Sequence, residues 1–575
     1  MKIVKVPCGK DDYMLYYAKS VRKGSKVSTK TVEKIGKLSE LRKKYDDPIS
    51  YFKARAKQLT EEGKAENSFS IPANVLLDPN ERKRVMFGYI FPQRVYYSIG
   101  LDSVMRSIHN SSKFEYDFNR IMRDLVIGRI LDPLSKSSTF RKAFSFPEKP
   151  DYDLHHVYKA LSAAAKNFDR IEENAYKGMR KYAKTDTSVC YYDCTNFYFE
   201  TEEQDGFRNY GKSKENRPNP IVQMGLFMDR NGLPISMCIH PGNTNEQSTM
   251  IPLEQLMEER FGIKKLVVCA DGGLSGNKNL EYNSKENHAF IVTKSLKKMK
   301  KDMREKLLSK EGWKRFGDSS GTLYNLDDIK EKEEFRDAVF FHDEDFITKK
   351  DLRERIIVTY SETLRAYQRS IREAQVERAK KLLEAGEVKR KGVNQNDARR
   401  FIRTEHCTKD GEVANQAVYT IDEELFEKES MYDGFYAVTT DLKDPAQEIV
   451  RINKGRWEIE ECFRVMKTDF EARPVYLSRE DRIRSHFLVC YLALLVFRVL
   501  EQKLETGGER YTTEEILDSL RGYEAVDMES FYVGAMEGKV VKALEATFGL
   551  VGSYKAMSKV QFRKLVARSK EPLEN

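Results

Sequence analysis

Residues 189–199 read VCYYDCTNFYF, an apolar and aromatic run with one carboxylate, Asp193, at its centre. Runs of Val, Tyr, Phe and Thr of this length are typical of a buried β-strand. An ionised carboxylate buried without a partner costs several kcal/mol, so such groups are normally paired, hydrogen-bonded or bound to a metal. The stretch therefore predicts a strand whose acid has a partner elsewhere in the chain.

Four more strands are predicted beyond this run: IVQMGLFM (221–228), LPISMCIH (233–240), KKLVVCAD (264–271) and HAFIVTKSL (288–296). Helices are expected through about residue 260 and from Asn277. The resulting order of strand, strand, strand, helix, strand, helix, strand is that of a ribonuclease H-like α/β domain. A later strand, DGFYAVTTDL (433–442), and a helix from about Pro445 to Ala472 indicate that an insertion divides this domain.

Composition sets the class of the whole chain. Its 575 residues carry a net charge of +10, which permits a polyanionic partner without proving one. The eight cysteines are scattered singly, which favours reduced thiols in a cytoplasmic protein over disulfides or a zinc site. The start lacks a signal peptide, and the run FLVCYLALLVF (487–497) is too short to cross a bilayer, so a core helix is expected there.

Six regions follow from these patterns, and the ends of the chain are expected to differ from its centre. They are a small N-terminal β-hairpin region (1–45), a helical DNA-binding region (46–185), the first part of the catalytic core (186–296), an insertion domain (297–430), the second part of the core (431–504) and a helical C-terminal region (505–575). For region 46–185 a solvated helical domain without DNA contacts is an equal alternative, because the DNA-binding interpretation rests on charge alone.

Two aspartates occupy comparable positions in the predicted sheet. Asp193 lies within one strand, and Asp271 lies at the carboxyl end of another, beside Gly272 and Gly273. Either acid alone could be a hydrogen-bonded structural group. Two acids in one sheet favour a divalent-metal site, because Mg²⁺ prefers oxygen ligands and usually takes one or two protein carboxylates.

A third acid is sought on the predicted helix INKGRWEIEECFRVMKTDF (452–470). At about 100° per residue, one polar stripe at the rim of the core contains Asn453, Arg456, Glu460 and Lys467. Glu458 and Glu461 point elsewhere and are predicted to be solvated. A surface ladder of ion pairs is the alternative explanation of the stripe.

These motifs resemble those of the DDE transposases of bacterial insertion sequences, in particular the group with the Y-(2)-R-(3)-E-(6)-K signature. The resemblance rests on Asp193 in YYDCTNFYF, Asp271 in VVCADGGLS and the helix RWEIEECFRVMK. The phrases GKSKENRPNPIVQMGLFMDRNGLPI, ARPVYLSREDRIRSHFLVCYLALL and DPLSKSSTF are also similar to that group, and the likeness extends to about residue 500. Asn453 replaces the tyrosine of the signature, so a phosphate contact made by that tyrosine hydroxyl in the family must be replaced or absent in this chain. Whether cleavage proceeds through a DNA hairpin is therefore an open question.

The resemblance implies an insertion-sequence transposase that cleaves and joins DNA strands at terminal inverted repeats. Asp193, Asp271 and Glu460 would hold two Mg²⁺ (or Mn²⁺) ions, and Arg456, Lys467 and the Asn453 position would contact phosphates. The implied partners are double-stranded DNA of the transposon ends and target, and a second copy of the chain in a homodimer on DNA, with no membrane. The expected location is the bacterial or archaeal cytoplasm, at the nucleoid.

Further DNA contacts are expected from the insertion and from the two tryptophans. The basic side chains of the insertion are Lys297, Lys298, Lys300, Lys301, Lys389, Arg390, Lys391, Arg399, Arg400 and Arg403. A solvated face with interleaved acids is the alternative for these clusters. Trp457 and Trp313 could stack on an extruded base or pack in the core.

Two other classes of function are considered. One is a DNA-binding protein with the same fold and no catalytic activity. The other is a nucleotide hydrolase, because GFRNYGKS (206–213) matches a phosphate-binding loop; an acidic stretch precedes it, and Pro218 and Pro220 obstruct a following helix. The pair His155-His156 lacks a matching third ligand, which argues against a zinc hydrolase.

Overall fold

The computed structural model describes residues 2–9, 12–23, 26–65, 83–263, 266–274, 276–284, 287–330, 332–347, 353–388, 396–407, 413–535 and 538–573. The chain divides into two compact units. The first comprises residues 1–81 and 527–532, and the second comprises residues 82–526 and 533–575.

The first unit is a small sheet with two helices. Its antiparallel strands, in spatial order, are β1 (Lys2–Pro7), β2 (Tyr13–Lys23) and β3 (Lys26–Lys37), and its helices are α1 (Leu38–Leu41) and α2 (Pro48–Ala65). Leu15, Leu38 and Leu41 are the buried residues of its core. The predicted hairpin of β2 and β3 is confirmed, and β1 adds a third strand to it.

The second unit begins with a helical region. After strand β4 (Arg84–Met86), the helices are α3 (Ile90–Ser98), α4 (Leu101–Ser112), α5 (Phe118–Leu131), α6 (Lys136–Lys142), α7 (Leu154–Lys166) and α8 (Phe168–Tyr182). Two pairs of successive helices, α3–α4 and α7–α8, are divided by only one or two residues. Gly100, at φ +71°, separates the first pair, since a left-handed residue cannot continue a helix, and Asn167 separates the second.

A nine-stranded sheet follows. Its strands and a separate hairpin are β5 (Cys190–Tyr198), β6 (Ile221–Asp229), β7 (Pro234–Pro241), β8 (Leu266–Ala270), β9 (His288–Thr293), β10 (Lys314–Arg315), β11 (Phe340–Ile347), β12 (Arg353–Tyr360), β13 (Ile402–Cys407), β14 (Val413–Ile421) and β15 (Phe435–Thr440). The spatial order of the sheet is β10-β11-β12-β15-β9-β8-β5-β6-β7, while β13 and β14 pair with each other. The β5–β8 and β8–β9 pairs are parallel, and the other described pairs are antiparallel.

The remaining elements cover the sheet and complete the chain. They are α9 (Met250–Phe261), α10 (Asn277–Asn283), α11 (Lys301–Leu307), α12 (Leu326–Ile329), α13 (Glu362–Glu384), α14 (Glu423–Ser430), α15 (Ala446–Lys454), α16 (Trp457–Arg464), α17 (Glu480–Glu505), α18 (Thr513–Gly522), β16 (Glu524–Asp527), β17 (Phe531–Ala535), α19 (Lys539–Phe548), β18 (Ala556–Ser558) and α20 (Lys559–Arg568). The C-terminal region, predicted as helical, therefore also contains three short strands.

Segment 297–430, predicted as an insertion domain, is in part continuous with the sheet. Its strands β10, β11 and β12 extend the sheet, and β12 pairs with β15. The reason is that β12 (RERIIVTY) presents an almost wholly buried run to its neighbours. A separate cluster around Ala379 and Phe401 joins α13 to the β13–β14 hairpin.

Helix α17 contains the apolar run predicted to lie in the core. The helix is longer than the apolar run 487–497 and, by length and composition alone, could cross a membrane. However, 94% of its most apolar window is buried inside the protein. It packs against α5 and α7 and its Tyr491 hydroxyl donates to the Ile235 carbonyl of β7 at 2.8 Å. The expected core helix is therefore present.

Candidate active site

The parallel pairing of β5 with β8 brings the two predicted aspartates together. Tyr192 of β5 is the register partner of Ala270 of β8. Asp193 and Asp271 are the next residues along each strand, and neighbouring strands lie about 4.8 Å apart. The sheet thus places these two acids at adjacent positions, as the sequence predicts.

Asp193 is half-buried and held in place by the backbone. Its carboxylate accepts a hydrogen bond from the Cys194 N–H at 2.8 Å. Burial raises the pKa of Asp193; the Lys214 ammonium, the Cys194 bond and Arg456 oppose that rise, and Asp271 adds to it. The structure therefore surrounds this acid with two cations and one further carboxylate, a setting in which additional positive charge stabilises the ionised form.

The side chains of β5 alternate between two faces, and the Asp193 face meets the late helices. On that face the Tyr191 hydroxyl donates to the Ile452 carbonyl of α15 at 3.0 Å, and Phe197 lies 5.6 Å below the Lys467 ammonium. Cys194 lies on the opposite face, with its sulfur 3.1 Å from the Tyr192 hydroxyl. Asp193 therefore lies on the face of β5 that carries Tyr191 and Phe197.

The helix predicted from 445 to 472 is broken at Gly455. The polar stripe was predicted for one continuous helix, and that assumption is wrong. The Ile452 carbonyl accepts from Tyr191 and from the Gly455 N–H, at 2.9 Å, so the helix tightens there instead of continuing. A β-carbon on Gly455 would lie 2.2 Å from the Tyr191 hydroxyl oxygen, so only glycine fits. After α16 the chain forms a π-helical turn over Val465–Asp469.

Arg456, at the break, joins two of the predicted acids. Its guanidinium lies 3.5 Å from the Asp271 carboxylate and 3.5 Å from the Glu460 carboxylate, and it donates to the Thr293 hydroxyl at 3.1 Å. The Arg456 side chain is only 11% exposed, whereas those of Asp271 and Glu460 are 53% and 65% exposed. Two accessible carboxylates therefore face solvent on either side of a fixed cation.

Asn453 lies behind Arg456 and not at the surface. The residue is 4% exposed, and its amide donates to the Tyr436 hydroxyl at 2.8 Å. That hydroxyl lies 2.9 Å from the hydroxyl of Thr293, which also accepts from Arg456. The position predicted to contact a phosphate is thus part of a buried network that orients Arg456.

Lys467 and Lys214 supply further positive charge near Asp193. Burial, and then the neighbouring Lys214, lower the pKa of Lys467 to about 8, while Asp193 raises it. The Lys467 ammonium lies 3.5 Å from Glu215, and the Lys214 ammonium donates to the Cys194 carbonyl. Lys214 was not among the predicted site residues, although it lies within the phrase GKSKENRPNP that carries part of the resemblance.

The two other glutamates of this helix are not solvated as predicted. Glu458 pairs with Arg498 of α17 at 2.5 Å, and its carboxylate side chain is 22% exposed. Glu461 pairs with Arg464 at 2.7 Å. Arg498 lies on α17, which a projection of one helix does not include, whereas Arg464 lies one turn further along α16 itself.

The two tryptophans differ. Trp313 is fully buried in the core formed with Phe340 and Tyr360, which favours the packing alternative for this residue. Trp457 is 51% exposed and lines a cleft of about 590 Å³. Glu460 and Arg456 line the same cleft, so Trp457 remains placed for a contact with a substrate beside the acids.

Of the basic residues predicted in the insertion, most of those that the structure describes form ion pairs. Lys389 and Arg390, with Lys391, lie outside the described residues. The ion pairs are Lys297–Glu429, Lys301–Glu305, Arg399–Glu387, Arg399–Asp397, Arg400–Glu429 and Arg403–Glu424. Lys298 and Lys300 are exposed. The interleaved acids anticipated by the alternative are therefore in contact with most of the described clusters.

Two sites considered for other functions have local explanations. Residues 206–213 form irregular backbone with one bridge, Asn209 to Ile221, and no helix lies between this stretch and β6. Asp153 provides the third metal-binding group that His155 and His156 were expected to lack, with ligand atoms within 4.8 Å of one another. Asp153 and His156, however, cap α7 reciprocally, which accounts for their approach.

The three acids have the chemistry of divalent-cation ligands. Mg²⁺ and Mn²⁺ prefer oxygen ligands, and Asp193, Asp271 and Glu460 are carboxylates near Arg456, although their ligand atoms do not all lie within 4.8 Å of one another. Burial raises the pKa of Asp193, so an added positive charge would stabilise its ionised form. The site defines a mixed α/β protein with a carboxylate cluster at the carboxyl end of a parallel strand pair.

Comparison with known families identifies the family of this chain. The family model of the transposase DDE domain matches residues 184–496, more than half of the chain, and the chain belongs to that family. The chain is therefore a transposase, an enzyme that cleaves and transfers DNA, from a family that generally uses divalent metal ions. The matched range contains Asp193, Asp271 and Glu460.

Two solved transposase structures align with the chain, both with low TM-scores. A piggyBac transposase synaptic complex with hairpin DNA, determined by cryo-EM, aligns with a TM-score of 0.36 and 8% identity over 85% of this chain and 86% of that one. A Mos1 transposase paired-end complex with the left transposon end aligns with a TM-score of 0.13 and 13% identity over 41% of this chain and 66% of that one. No curated protein sequence matches the chain.

Proposed function

We propose that this transposase is encoded by an insertion sequence and that it cleaves and joins DNA strands at terminal inverted repeats by metal-dependent phosphoryl transfer. The observation that carries this proposal is the placement of Asp193 beside Asp271, with Glu460 joined to Asp271 through Arg456. A ribonuclease H-like fold is part of the proposal. It is supported by the order β7-β6-β5-β8-β9, with the first three strands antiparallel and the last two parallel to β5.

The three carboxylates have the role of metal ligands in this proposal. Asp193, Asp271 and Glu460 would hold two Mg²⁺ or Mn²⁺ ions, which supply Lewis acidity to the attacking hydroxyl and to the leaving oxygen of the phosphodiester. The Cys194 N–H fixes one oxygen of Asp193, which leaves the other for a ligand bond. The exposed carboxylates of Asp271 and Glu460 can adjust to the substrate.

The cations around the acids have the role of binding the scissile phosphate. Arg456 is held by Thr293 and, through Tyr436, by Asn453, so its guanidinium is oriented before substrate arrives. Lys467 lies near both Asp193 and Lys214. Donors fixed in advance on both sides of a phosphate stabilise the charge that develops in the transition state.

The proposed partners follow from the reaction. They are the double-stranded DNA of the two transposon ends and of the target. A homodimer on DNA is proposed because two ends must be cut and joined together. The proposed location is the nucleoid of a bacterial or archaeal cytoplasm.

Binding of Mn²⁺ tests the assignment of ligands without depending on activity. Electron paramagnetic resonance of the wild-type protein titrated with Mn²⁺ is expected to show bound ion, and Asp193→Asn and Glu460→Gln are expected to weaken binding at least about tenfold. Glu461→Gln on the same helix is the matched control and should bind as wild type. Equal Mn²⁺ binding by wild type and Asp193→Asn would refute the assignment.

A further inference from the structure

A second cationic cleft lies outside the three acids. It has a volume of about 360 Å³ and is formed by residues 129–138, Tyr158, His486 and the segment 471–477 that follows the π-helical turn. Both chain segments belong to phrases that carry the resemblance, DPLSKSSTF and ARPVYLSRED. Three cations line it, Arg129, Lys136 and Arg473, against one carboxylate, Glu471.

Two of these cations are almost completely buried. Arg129 is 4% exposed and Lys136 is 6% exposed. Arg129 donates to the backbone carbonyls of Phe470 at 3.1 Å and Leu134 at 2.9 Å, and within the described chain its Nε has no acceptor. Neither cation has a carboxylate within ion-pair distance among the described residues. Buried charges are normally paired, so these two cations favour an anion as the ligand of the cleft.

Lys136 has donors to spare. The His486 Nε2 lies 3.0 Å from the Ala472 carbonyl, so Nε2 carries the proton and Nδ1 is free to accept from the Lys136 ammonium, also at 3.0 Å. Burial, and then Arg129, lower the pKa of Lys136 to about 7, as expected for an ammonium without an anion. An ammonium has three donors, and the described residues supply one acceptor for it.

Arg473 connects the cleft to the acids. Its guanidinium contacts Glu215, and the same carboxylate lies 3.5 Å from Lys467, the cation beside Asp193. Ser135 and Ser138 add hydroxyl groups at the rim of the cleft, with their oxygens 3.1 Å apart. Three cations therefore connect the surroundings of Asp193 to the cleft: Lys467 lies near Asp193, Arg473 shares Glu215 with Lys467, and Lys136 lines the same cleft as Arg473.

We propose that this cleft binds a backbone phosphate of the DNA strand whose scissile phosphodiester lies at Asp193, with Lys136 and Arg129 as its buried counter-charge. The inference rests on the proposed function, since it assumes that DNA is the substrate. Lys136 is a positioning residue in this arrangement: it fixes the strand and does not touch the reacting atoms. An inorganic phosphate ion offers the same chemistry and is separated from DNA by the test.

The test measures DNA affinity in an Asp193→Asn background, which cannot cleave, by fluorescence anisotropy with a terminal-repeat duplex at several salt concentrations. Lys136→Met is expected to weaken binding about tenfold and to reduce the slope of log K against log salt by about one. Lys142→Met is the matched control, because Lys142 lies on the same helix and pairs with Asp132 at 2.9 Å, and it should change affinity less than twofold.

A second pair of variants avoids the core. Ser135 caps α6, and both Asp and Asn retain that cap. Ser135→Asp places a carboxylate at the rim and should weaken DNA binding as much as Lys136→Met, whereas Ser135→Asn should not. Unchanged affinity and slope in folded Lys136→Met or in Ser135→Asp would overturn the inference.

Two outcomes separate the possible sources of failure. If inorganic phosphate raises the melting temperature of wild type but not of Lys136→Met, while DNA affinity is equal in both, the cleft binds a free anion and the inference is wrong. If the Asp193→Asn protein itself binds no DNA, the proposed function fails and the inference fails with it.

Discussion

The guanidinium of Arg456 lies 3.5 Å from the carboxylate of Asp271 and 3.5 Å from the carboxylate of Glu460. These two acids come from different elements, the end of β8 and the middle of α16. A buried cation between them offsets their mutual repulsion and keeps both within reach of one space. Arg456 thereby links the sheet to the broken helix at the active site.

Replacement of Arg456 by glutamine should reduce single-turnover DNA cleavage by on the order of 10²-fold, because the acids lose their shared cation and the scissile phosphate loses a fixed donor. Arg451→Gln, which removes an exposed arginine paired with Glu448 at 2.8 Å, is the matched control. The measurement is the cleavage rate of pre-bound DNA. Similar rates for the two variants would show that Arg456 has no such role.

Substitution of Gly455 by alanine should destabilise the protein by about 1–3 kcal/mol, because the new β-carbon would lie 2.2 Å from the Tyr191 hydroxyl oxygen. Tyr191 is two residues from Asp193, so cleavage should fall as well. Gly522→Ala is the control, since a β-carbon there meets no atom within 4 Å. Urea denaturation measures the effect, and equal stability of both variants would contradict the role of Gly455 in the break.

Stability should fall between about pH 5 and pH 7. Burial raises the pKa of Glu172 to about 7, against opposing hydrogen bonds from Met237 and Ser236, with Arg260 also lowering it and Asp169 raising it. An acid whose pKa is higher in the folded state binds more protons there than in the unfolded state, so stability is lost as pH rises to 7.

Glu172→Gln carries no charge at any pH and should reduce that loss by up to about 3 kcal/mol. Glu173→Gln, at the next position and paired with Lys177 on the surface, is the control and should retain the wild-type pH dependence. The measurement is the free energy of unfolding at pH 5 and pH 8. A wild-type profile in Glu172→Gln would contradict this assignment.

Much of the sheet could be predicted because its strands are buried on both faces. The five strands β5 to β9 are short apolar runs bounded by turns, and their order along the chain indicated their topology. The adjacency of Asp193 and Asp271 then follows from parallel pairing. The contribution of β11 to the sheet could not be predicted, because four consecutive residues of its eight-residue sequence FFHDEDFI are polar or charged.

The details of the site depended on residues distant in sequence. The break at Gly455 is caused by Tyr191, more than 250 residues earlier, as the hydrogen bond from Tyr191 to Ile452 shows. Glu458 is paired because α17 supplies Arg498. Tyr191 and Arg498 both lie outside the helix predicted over 452–470. The geometry of that helix therefore predicted Arg456 beside Glu460 but not these contacts.

The most direct test is cleavage of a duplex that contains the terminal inverted repeat and its flanking DNA, followed on a denaturing gel with and without Mg²⁺ or Mn²⁺. Wild type should cut at the repeat boundary only with the metal ion. Asp193→Asn, Asp271→Asn and Glu460→Gln should bind the duplex as wild type and cut it at least about 10³-fold more slowly, while Glu461→Gln should cut normally. Cleavage by Asp193→Asn at the wild-type rate, or DNA binding by wild type without cleavage in either metal, would contradict catalysis by these three acids.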